Sequence, residues 1–475
     1  MKAVLDIGKT NVKLQLVNES GQVCDTWFRA NSSLAGAPYP HADVTGIWQW
    51  LITTLRACAQ VNQITALIVT THGATAALVN SAATSTVSDE NGDGLVLPVL
   101  DYEFAGVNDC DKAYSEVRPD FTETLSPALP AGLNLGRQLF WLQQNFPEEF
   151  ARATHILMYP QYWAWRLTGV VAGEVTSLGC HTDLWSPHTN DYSNLVQHCQ
   201  WQALMPPLKS AWQILGSVTS AVVAQTGLPS TCQVYVGLHD SNASYLRYLI
   251  NNRISKISFT VVSTGTWTIL MRAGAQLAAL NSASDMLANC DIYGAPVACA
   301  RFMGGREYAV ICERLGGDIH APVRAEDIQH ALDKLWMVTP DFSEGNGPYG
   351  DLMPQIHCPD SAQSAGAIAT LYCALMIDQR LTDLQAIGPI YIEGTFLKNP
   401  LLCQLVAQLR GDQPVYLSAD DTGTVQGAIL LTEFANTANF TLALTPCNAA
   451  DFIGVSDYRR HWYNLIAQAR PGMHD

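Results

Sequence analysis

The feature that most constrains the fold is a pattern that occurs twice: an apolar strand, a short turn rich in glycine and threonine, and a returning strand. The first copy spans residues 2–17 and turns at the letters GKT, and the second spans 256–272 and turns at STGT. In the first copy apolar Val12, Leu14 and Leu16 alternate with polar residues, which indicates a half-buried strand. Because each copy begins a stretch of alternating strand and helix signals, the sequence predicts an α/β protein with two related domains facing each other across a cleft.

The first turn ends like a P-loop but lacks the rest of one. A P-loop needs a glycine five residues before Gly8, where this chain has Ala3, and a helix after the turn, where a strand is predicted. A glycine turn between two strands can still offer backbone N–H groups to an anion. In that case Asp6, just before the turn, would hold a metal ion. The alternative is an ordinary N-terminal hairpin.

Further elements follow from apolar periodicity and from helix-ending signals. Residues 133–168 are predicted to be mainly helical, with Gly169 as a C-cap. The stretch 387–411 is predicted as a strand, a glycine turn and a helix from about Asn399. The other predictions are an edge strand at 23–28, a helix at 44–59, a strand at 64–70, a turn-rich region at 174–215, and a strand, loop and helix over 416–434 in which Gly427 and Ala428 allow close packing.

Length, charge and cysteine usage exclude several classes of protein. A chain of 475 residues predicts two or three domains. A net charge of −16 argues against binding to nucleic acid or to an anionic membrane. The chain start lacks a signal-peptide pattern and no run reaches the ~18 apolar residues of a spanning helix, so a cytoplasmic protein is expected. The 13 cysteines are scattered singly, which favours reduced core residues over disulfides or a zinc site.

Four segments, in order along most of the chain, resemble motifs of the FGGY carbohydrate kinases, a family of the actin-like (ribonuclease H-like) ATPase superfamily. DIGKTN at 6–11 resembles the first phosphate loop, and STGTW at 263–267 the second. GLHD at 237–240 resembles the segment with the catalytic aspartate, and EGTFLKNP at 393–400 the adenosine segment. On the sugar side, THGAT at 71–75 is similar to pentulose kinases, whereas RFMGGREY at 301–308 is similar to rhamnulose and fuculose kinases.

The resemblance implies a domain division, two cofactors and a set of site residues. It implies an N-terminal domain at 1–236, a C-terminal domain at 237–475, and ATP with Mg²⁺ as cofactors. Asp240 would be the catalytic base, and the sugar would contact His72, Gly73, Asp101 and Asp240. The nucleotide and its metal would contact Asp6, Gly8, Lys9, Thr10, Asn11, Thr264, Gly265, Thr266, Gly394, Thr395 and Asn399, with Asp6 holding the metal.

The chain departs from the family pattern at three positions. Lys9 stands where serine or threonine is usual, and it would add a positive charge near the phosphates. Glu393 stands where glycine is common, beside the predicted adenine contacts, and Gln138 stands where lysine is expected. The carboxylates that the chemistry needs are all present.

Each candidate residue also has a structural explanation. Asp240 precedes an apolar stretch and fits the N-cap of a helix. His72 could donate to a sugar hydroxyl or be satisfied within the core, and His239 fits a structural role. Asp101 and Glu103 could accept from sugar hydroxyls or lie on a solvated loop. The aromatic cluster Tyr159, Tyr162, Trp163 and Trp165 has helical spacing, which favours the core over a stacking surface.

The resulting prediction is an ATP-dependent kinase acting on a terminal hydroxyl of a ketose, either a ketopentose or a deoxyketohexose, or of a related polyol. The alternative on the same fold is a sugar-independent ATPase of chaperone or assembly type, which would need a peptide-binding or polymerising module. A sugar-sensing regulator would need a helix-turn-helix segment and a basic face. The expected partner is a small sugar, and the resemblance is compatible with a homodimer.

Overall fold

The computed structural model describes residues 1–81, 92–253, 257–359, 364–418, 423–434 and 440–469. Counting only these residues, the chain forms two compact units. Unit 1 holds the described residues of 1–251, 288–296 and 422–441, and unit 2 holds those of 252–287, 297–421 and 442–475. The domain boundary between residues 236 and 237 stays a prediction.

Strands are numbered along the described part of the chain. They are β1 (Lys2–Ile7), β2 (Asn11–Val17), β3 (Val23–Ala30), β4 (Ala66–Thr71), β5 (Ala76–Val79), β6 (His155–Met158), β7 (Trp185–Ser186), β8 (Asp191–Tyr192), β9 (Ile214–Ser217), β10 (Gln233–Tyr235), β11 (Leu238–His239), β12 (Thr260–Thr264), β13 (Thr268–Ala273), β14 (Met286–Cys290), β15 (Pro296–Phe302), β16 (Met337–Thr339), β17 (Gln355–His357), β18 (Ile390–Gly394), β19 (Val415–Ser418) and β20 (Thr445–Pro446).

Helices are numbered in the same way. They are α1 (Val44–Ala57), α2 (Asp111–Ser115), α3 (Phe121–Thr124), α4 (Leu135–Asn145), α5 (Pro147–Phe150), α6 (Tyr159–Thr168), α7 (Val175–Leu178), α8 (Asn194–His198), α9 (Ser220–Thr226), α10 (Asp240–Asn252), α11 (Gly304–Arg314), α12 (Ala325–Lys334), α13 (Ala365–Asp383), α14 (Pro400–Leu409), α15 (Gly423–Leu430) and α16 (Val455–Ala469).

The two main sheets repeat one arrangement. The first sheet has the order β3-β2-β1-β4-β10-β9, with β11 also pairing to β4, and the second has the order β14-β15-β13-β12-β18-β19-β20. In each sheet an antiparallel hairpin, β1–β2 or β12–β13, has its first strand paired in parallel with a later strand, β4 or β18. The predicted α/β class and both predicted hairpins are confirmed.

Most of the predicted elements form near their expected bounds. Helix α1 begins after Asp43, whose carboxylate accepts from the backbone N–H of Gly46, and it buries Ile47, Leu51 and Leu55 on one face. Helix α6 ends at Gly169, which has a φ of 74° and is the predicted left-handed C-cap. The strand and helix predicted within 416–434 are β19 and α15, while the loop at 419–422 lies outside the described residues.

One strand lies inside the region predicted to be mainly helical. Residues His155–Met158 form β6, which pairs antiparallel with β5. Helices α4, α5 and α6 account for most of the rest of 133–168. A run of four residues is too short to carry either a helical or a strand period, so the local sequence held no signal for this strand.

Each unit has its own apolar core. In unit 1 one core cluster is formed by β1, β2, β4 and α1 together with the fully buried Tyr159, Tyr162, Trp163 and Trp165, so the core interpretation of this aromatic cluster is confirmed. In unit 2 the core includes β12, β15, β18 and the long helix α13. Ten of the 13 cysteines are buried, as expected for core residues. In the described part of the chain no helix is both long and apolar enough to cross a bilayer.

Close packing of helix α15 in unit 1 gives a stability prediction. A Cβ atom on Gly427 would overlap the backbone carbonyl oxygen of Ala243 in α10. Backbone cannot yield as a flexible side chain can, so Gly427→Ala should lower the free energy of unfolding by about 1–3 kcal/mol, measured by circular dichroism in urea. The matched control is Gly411→Ala, because a Cβ there meets only the Gln408 carbonyl at 3.8 Å. Equal stability of the two variants would contradict the packing argument.

Candidate active site

Parallel pairing in unit 1 brings the predicted acceptor-side residues to one sheet edge. Ile7 at the end of β1 and His239 at the end of β11 are both in register with Thr71 at the end of β4. The residues that directly follow these strand ends are Gly8, His72 and Asp240. Ligands of α/β proteins bind at the carboxyl ends of parallel strands, so this edge is the candidate site of unit 1.

The turn between β1 and β2 is tight and is held from outside. The Gly8 N–H donates to the Asn11 carbonyl at 2.9 Å, and the Gly8 carbonyl accepts from Nδ2 of Asn31 at 2.7 Å. Thr10 and Asn11 are exposed at the tip, with Nδ2 of Asn11 donating to Oγ1 of Thr10 at 3.1 Å. The turn therefore presents polar groups to solvent from a fixed backbone.

Two acidic side chains at this edge repel each other. Burial, followed by the negative charge of Asp240, raises the pKa of Asp6 to about 7, and Lys13 opposes the shift. A cation between hard oxygen ligands would relieve this repulsion, so the pair suits a magnesium ion. No group of three or more His, Cys, Asp or Glu side chains in the described ranges forms a closed metal cage. Magnesium uses few protein carboxylates and keeps its waters, so a single carboxylate such as that of Asp6 would be sufficient to hold it.

The Asp240 carboxylate is oriented through one of its oxygens. Its Oδ1 accepts from the backbone N–H of Ser241 at 2.5 Å and lies 3.2 Å from Nε2 of His239. Asp240 is also the first residue of helix α10, so the structure contains both the helix start and a carboxylate at the strand edge. These contacts orient the side chain through Oδ1, so Oδ2 is the oxygen that a further partner would contact.

His239, for which the sequence favoured a structural role, lies against Asp240. It is buried, burial lowers the pKa of its imidazole, and its Nδ1 lies 3.5 Å from Nδ2 of Asn242. An amide nitrogen only donates, so Nδ1 accepts and Nε2–H points its proton at Asp240. The signal available in the sequence was its position directly before the predicted base.

A second buried group lies beneath this strand. Glu174 is fully buried, and its Oε2 accepts from the backbone N–H and the hydroxyl of Thr176 at 3.0 and 2.6 Å. The same Thr176 hydroxyl accepts from the backbone N–H of His239 at 3.0 Å. Glu174 therefore supports the residue before Asp240, a role that no local motif indicated.

His72 is half-buried at the end of β4. Its Nδ1 lies 3.0 Å from the Gly73 carbonyl, which can only accept, so Nδ1 carries the proton. Burial lowers the pKa of the ring. A neutral ring with a proton on Nδ1 has an accepting Nε2, so in this tautomer His72 would accept from a hydroxyl at Nε2 and not donate to it as expected from the sequence. Gly73 beside it is confined, since a Cβ there would lie 2.9 Å from Nε2 of His239.

Lys9, predicted on the nucleotide side, lies against residues predicted on the sugar side. Its ammonium forms an ion pair with Oδ1 of Asp101, lies 3.3 Å from Oε2 of Glu103, and sits 4.5 Å from the centre of the Tyr102 ring. Although burial opposes the shift, hydrogen bonds from Lys9, Ser33 and the Glu103 backbone lower the pKa of Asp101. Asp101 is thus a fixed carboxylate on an ordered loop.

In unit 2 the predicted nucleotide residues meet at the ends of β12 and β18. Thr264 and Gly394 are in register, and the Thr264 hydroxyl donates to the Glu393 carbonyl at 2.6 Å while accepting from the Phe396 N–H at 3.0 Å. Gly394 has a φ of 89°, and a Cβ there would overlap the Thr264 carbonyl. Only glycine fits this close approach.

The turn after β12 adjoins the start of helix α11. Gly265 N–H donates to the Trp267 carbonyl at 2.9 Å, and the Gly265 carbonyl accepts from the Gly305 N–H at 3.2 Å. A Cβ on Gly265 would have only the Trp267 carbonyl nearby, at 3.7 Å, so this glycine faces open space. Thr266 is exposed at the tip of the turn.

A cavity of about 480 Å³ lies in unit 2 beside these residues. Its lining includes predicted Thr395 and Asn399, together with Gly305, Tyr308 and Phe396. Asn399 also caps helix α14, accepting from the Leu402 N–H at 3.3 Å, and donates to the Thr370 hydroxyl at 2.8 Å. The volume and mixed lining are typical of a small-molecule site.

The repeated sheets and their glycine turns define an α/β protein with the actin-like ATPase fold. Comparison with family models gives the family: the model described as "FGGY family of carbohydrate kinases, N-terminal domain" matches residues 1–246, and "Carbohydrate kinase FGGY, C-terminal domain" matches 256–440. The chain belongs to the FGGY family of carbohydrate kinases.

Individual relatives agree with this assignment. A crystal structure of a carbohydrate kinase from Novosphingobium aromaticivorans is 34% identical, with a TM-score of 0.88 over 98% of this chain and 100% of that one. An L-fuculokinase from Escherichia coli K12 is 25% identical over 296 residues, which cover 58% of this chain and 57% of that relative. A ligand-bound xylulose kinase from Lactobacillus acidophilus, 13% identical with a TM-score of 0.77 over 98% of this chain and 97% of that one, shares the fold. Nothing in these comparisons supports the chaperone-type alternative.

Buried Glu174 gives a prediction about pH. Burial raises the pKa of Glu174 from 4.5 to about 7, so between these values the folded chain holds a proton that the unfolded chain has lost. Stability therefore falls as pH rises through this window. Glu174→Gln removes this titration. The free energy of unfolding of the variant minus that of the wild type should therefore be about 3 kcal/mol more favourable at pH 8 than at pH 5.

Urea unfolding of both proteins at pH 5 and at pH 8 measures this change. Hydrogen bonds lost in the variant lower its free energy of unfolding equally at both pH values, so they cancel in the comparison. The matched control is Glu148→Gln, whose side chain is exposed. A difference between Glu174→Gln and wild type that does not vary with pH would refute the raised pKa.

Proposed function

We propose that the protein is an ATP-dependent kinase that transfers the γ-phosphate of ATP to a terminal hydroxyl of a ketose, either a ketopentose or a deoxyketohexose, or of a related polyol. Family membership supports a carbohydrate acceptor and ATP as donor. The relatives named L-fuculokinase and probable L-xylulose kinase support the two ketose classes, since fuculose is a deoxyketohexose and xylulose a ketopentose.

The observation that carries this proposal is the placement of two carboxylates at one sheet edge beside a glycine turn. Asp6 and Asp240 are close enough to repel each other, and Gly8 and His72 end their strands at the same level as Asp240. Phosphoryl transfer needs positioning and charge stabilisation more than covalent chemistry. A metal-holding carboxylate next to a basic carboxylate meets this need.

Asp240 serves as the general base in this proposal. The acceptor alcohol must lose its proton as the bond to phosphorus forms, and a positioned carboxylate contributes about 10²- to 10⁴-fold. Oδ1 is held by Ser241 and His239, so Oδ2 takes the proton. His72, through Nε2, and Asp101 accept from other hydroxyls of the sugar, and Gly73 lets the chain approach closely.

The adenosine is assigned to unit 2. The cavity lined by Thr395 and Asn399 takes the adenosine, with Tyr308 and Phe396 as apolar walls. In each unit the turn offers polar groups that suit phosphate oxygens. These are at Gly8, Thr10 and Asn11 in unit 1 and at Thr264, Gly265 and Thr266 in unit 2, where Gly394 closes the turn. Magnesium held at Asp6 would neutralise phosphate charge when bound.

The proposal predicts sugar-dependent ADP release. In the presence of magnesium, a panel of ketopentoses, deoxyketohexoses, tetruloses, glycerol and other polyols should show turnover with one sugar class and none without sugar. With that sugar, Asp240→Asn should lose at least about 10²-fold in kcat while binding ATP normally by calorimetry. The matched control is Asp25→Asn, an exposed carboxylate on β3. Slow hydrolysis of ATP that no sugar stimulates would contradict the proposed kinase activity.

The second turn gives a separate prediction about ATP. Gly265 faces open space, so Gly265→Val should leave the thermal unfolding midpoint nearly unchanged but intrude on the phosphates. We expect the Kd for ATP to rise at least about tenfold, which corresponds to about 1.4 kcal/mol. Gly394→Ala is the contrasting variant, since its Cβ overlaps backbone and should lower stability itself. Unchanged ATP affinity in a stable Gly265→Val protein would remove this turn from the site.

A further inference from the structure

Lys9 projects from the first turn toward the loop at 101–103. Three contacts of its ammonium fall on consecutive residues: the ion pair with Asp101, the face of Tyr102 at 4.5 Å, and Oε2 of Glu103 at 3.3 Å. Oγ of Ser33 lies 3.5 Å away. The Lys9 side chain is 26% exposed and that of Asp101 only 9% exposed, so the ion pair is largely shielded from water.

The loop that receives Lys9 is anchored independently of it. The Asp101 N–H donates to the Pro40 carbonyl at 3.0 Å, and the Tyr102 carbonyl accepts from the Gly132 N–H at 2.8 Å. Oδ1 of Asp101 also accepts from the Glu103 N–H at 3.0 Å. Because the loop is already fixed, Lys9 is not required to build it, and the ion pair instead sets the charge of a preformed pocket.

Lys9, Asp101, Tyr102 and His72 line one small cavity in unit 1, with a volume of about 20 Å³. A cavity needs roughly 10–15 Å³ to hold one water, so this space suits a single hydroxyl group. A hydroxyl both donates and accepts. Beside this ion pair it can accept from Lys9 and donate to Asp101 at once.

The alternative, in which Lys9 turns to the phosphates, has an electrostatic cost. Removing one partner of a shielded ion pair leaves the other charge uncompensated, and here the carboxylate left behind would be Asp101, 9% exposed. The pocket is already rich in negative charge. Burial and then the negative charges of Glu103, Asp101 and Asp240 raise the pKa of the Tyr102 hydroxyl. The single ammonium of Lys9 does not neutralise these carboxylates, so the net negative charge of the pocket disfavours an acidic ligand.

We propose that Lys9 is a specificity-determining residue of the acceptor pocket, where with Asp101 it binds one hydroxyl of an uncharged polyhydroxy substrate, while the excess of carboxylates around it disfavours sugar acids. This inference rests on the proposed kinase function and names the class of its substrate. It places a residue of the phosphate turn on the acceptor side, so that the first turn contacts both substrates.

The first test separates the two substrates kinetically. Lys9→Met keeps the length of the side chain without its charge, and Lys9→Gln is a second variant that keeps a hydrogen-bond donor. The KM for the best sugar should rise at least about tenfold in Lys9→Met, while the KM for ATP stays within about twofold. Lys112→Met, on the exposed surface of α2, is the matched control and should change neither.

A rise in the KM for ATP without a rise for sugar overturns the inference and assigns Lys9 to the phosphates. Unchanged values for both substrates overturn it as well. Calorimetric titration of the sugar without ATP gives a readout that does not depend on turnover: wild type should bind more tightly than either Lys9 variant. Absence of any sugar-dependent ADP release by the wild type would instead be a failure of the kinase proposal.

The second test identifies the hydroxyl. Among monodeoxy analogues of the best sugar, one should lose at least about tenfold in kcat/KM with the wild type and lose little further with Lys9→Met, because the variant has already lost that contact. The matching sugar acid should be a poorer substrate than the neutral sugar for the wild type. Equal losses for all analogues in both proteins, or equal use of the acid, would overturn the assignment.

Discussion

Parallel pairing of β4 with both β1 and β11 is the constraint on which the candidate acceptor site depends. The shared register sets Gly8, His72 and Asp240 at one level, although they lie far apart in the chain. A shift of one residue in either pairing would turn alternate side chains to the opposite face. The Asp6 side chain would then point away from Asp240, and the two carboxylates would no longer interact. The site is therefore a property of the sheet register before it is a property of any loop.

Unit 2 uses the same principle with different chemistry. Thr264 and Gly394 are paired across β12 and β18, and the Thr264 hydroxyl joins the two strand ends by two hydrogen bonds. Here the strand ends carry hydroxyls and glycines, whereas in unit 1 carboxylates and histidines accompany the glycine turn. Donors suit phosphate oxygens, and acceptors suit sugar hydroxyls and a metal. The repeated fold thus supports two unlike binding surfaces.

Local pattern predicted much of this arrangement, and its limits follow from chain distance. The two hairpins, the α6 C-cap at Gly169 and the start of α14 near Asn399 depend on neighbouring residues, so the sequence was sufficient. Strand β6 was missed because four residues carry no period. The contact of Lys9 with Asp101 joins residues 92 positions apart and depends on the path of the chain between them. Glu174 was missed for the same reason, since its support of His239 passes through Thr176.

The aromatic core of unit 1 has a spectroscopic consequence. Trp267, Trp336 and Trp462 belong to unit 2, and the other nine of the twelve tryptophans belong to unit 1. Trp163, Trp165 and Trp201 are fully buried there, so opening unit 1 exposes many indoles to water at once. Intrinsic fluorescence therefore follows mainly the unfolding of unit 1. A loss of structure confined to unit 2 would change that emission little, although it would remove helix α13 and the turn after β12.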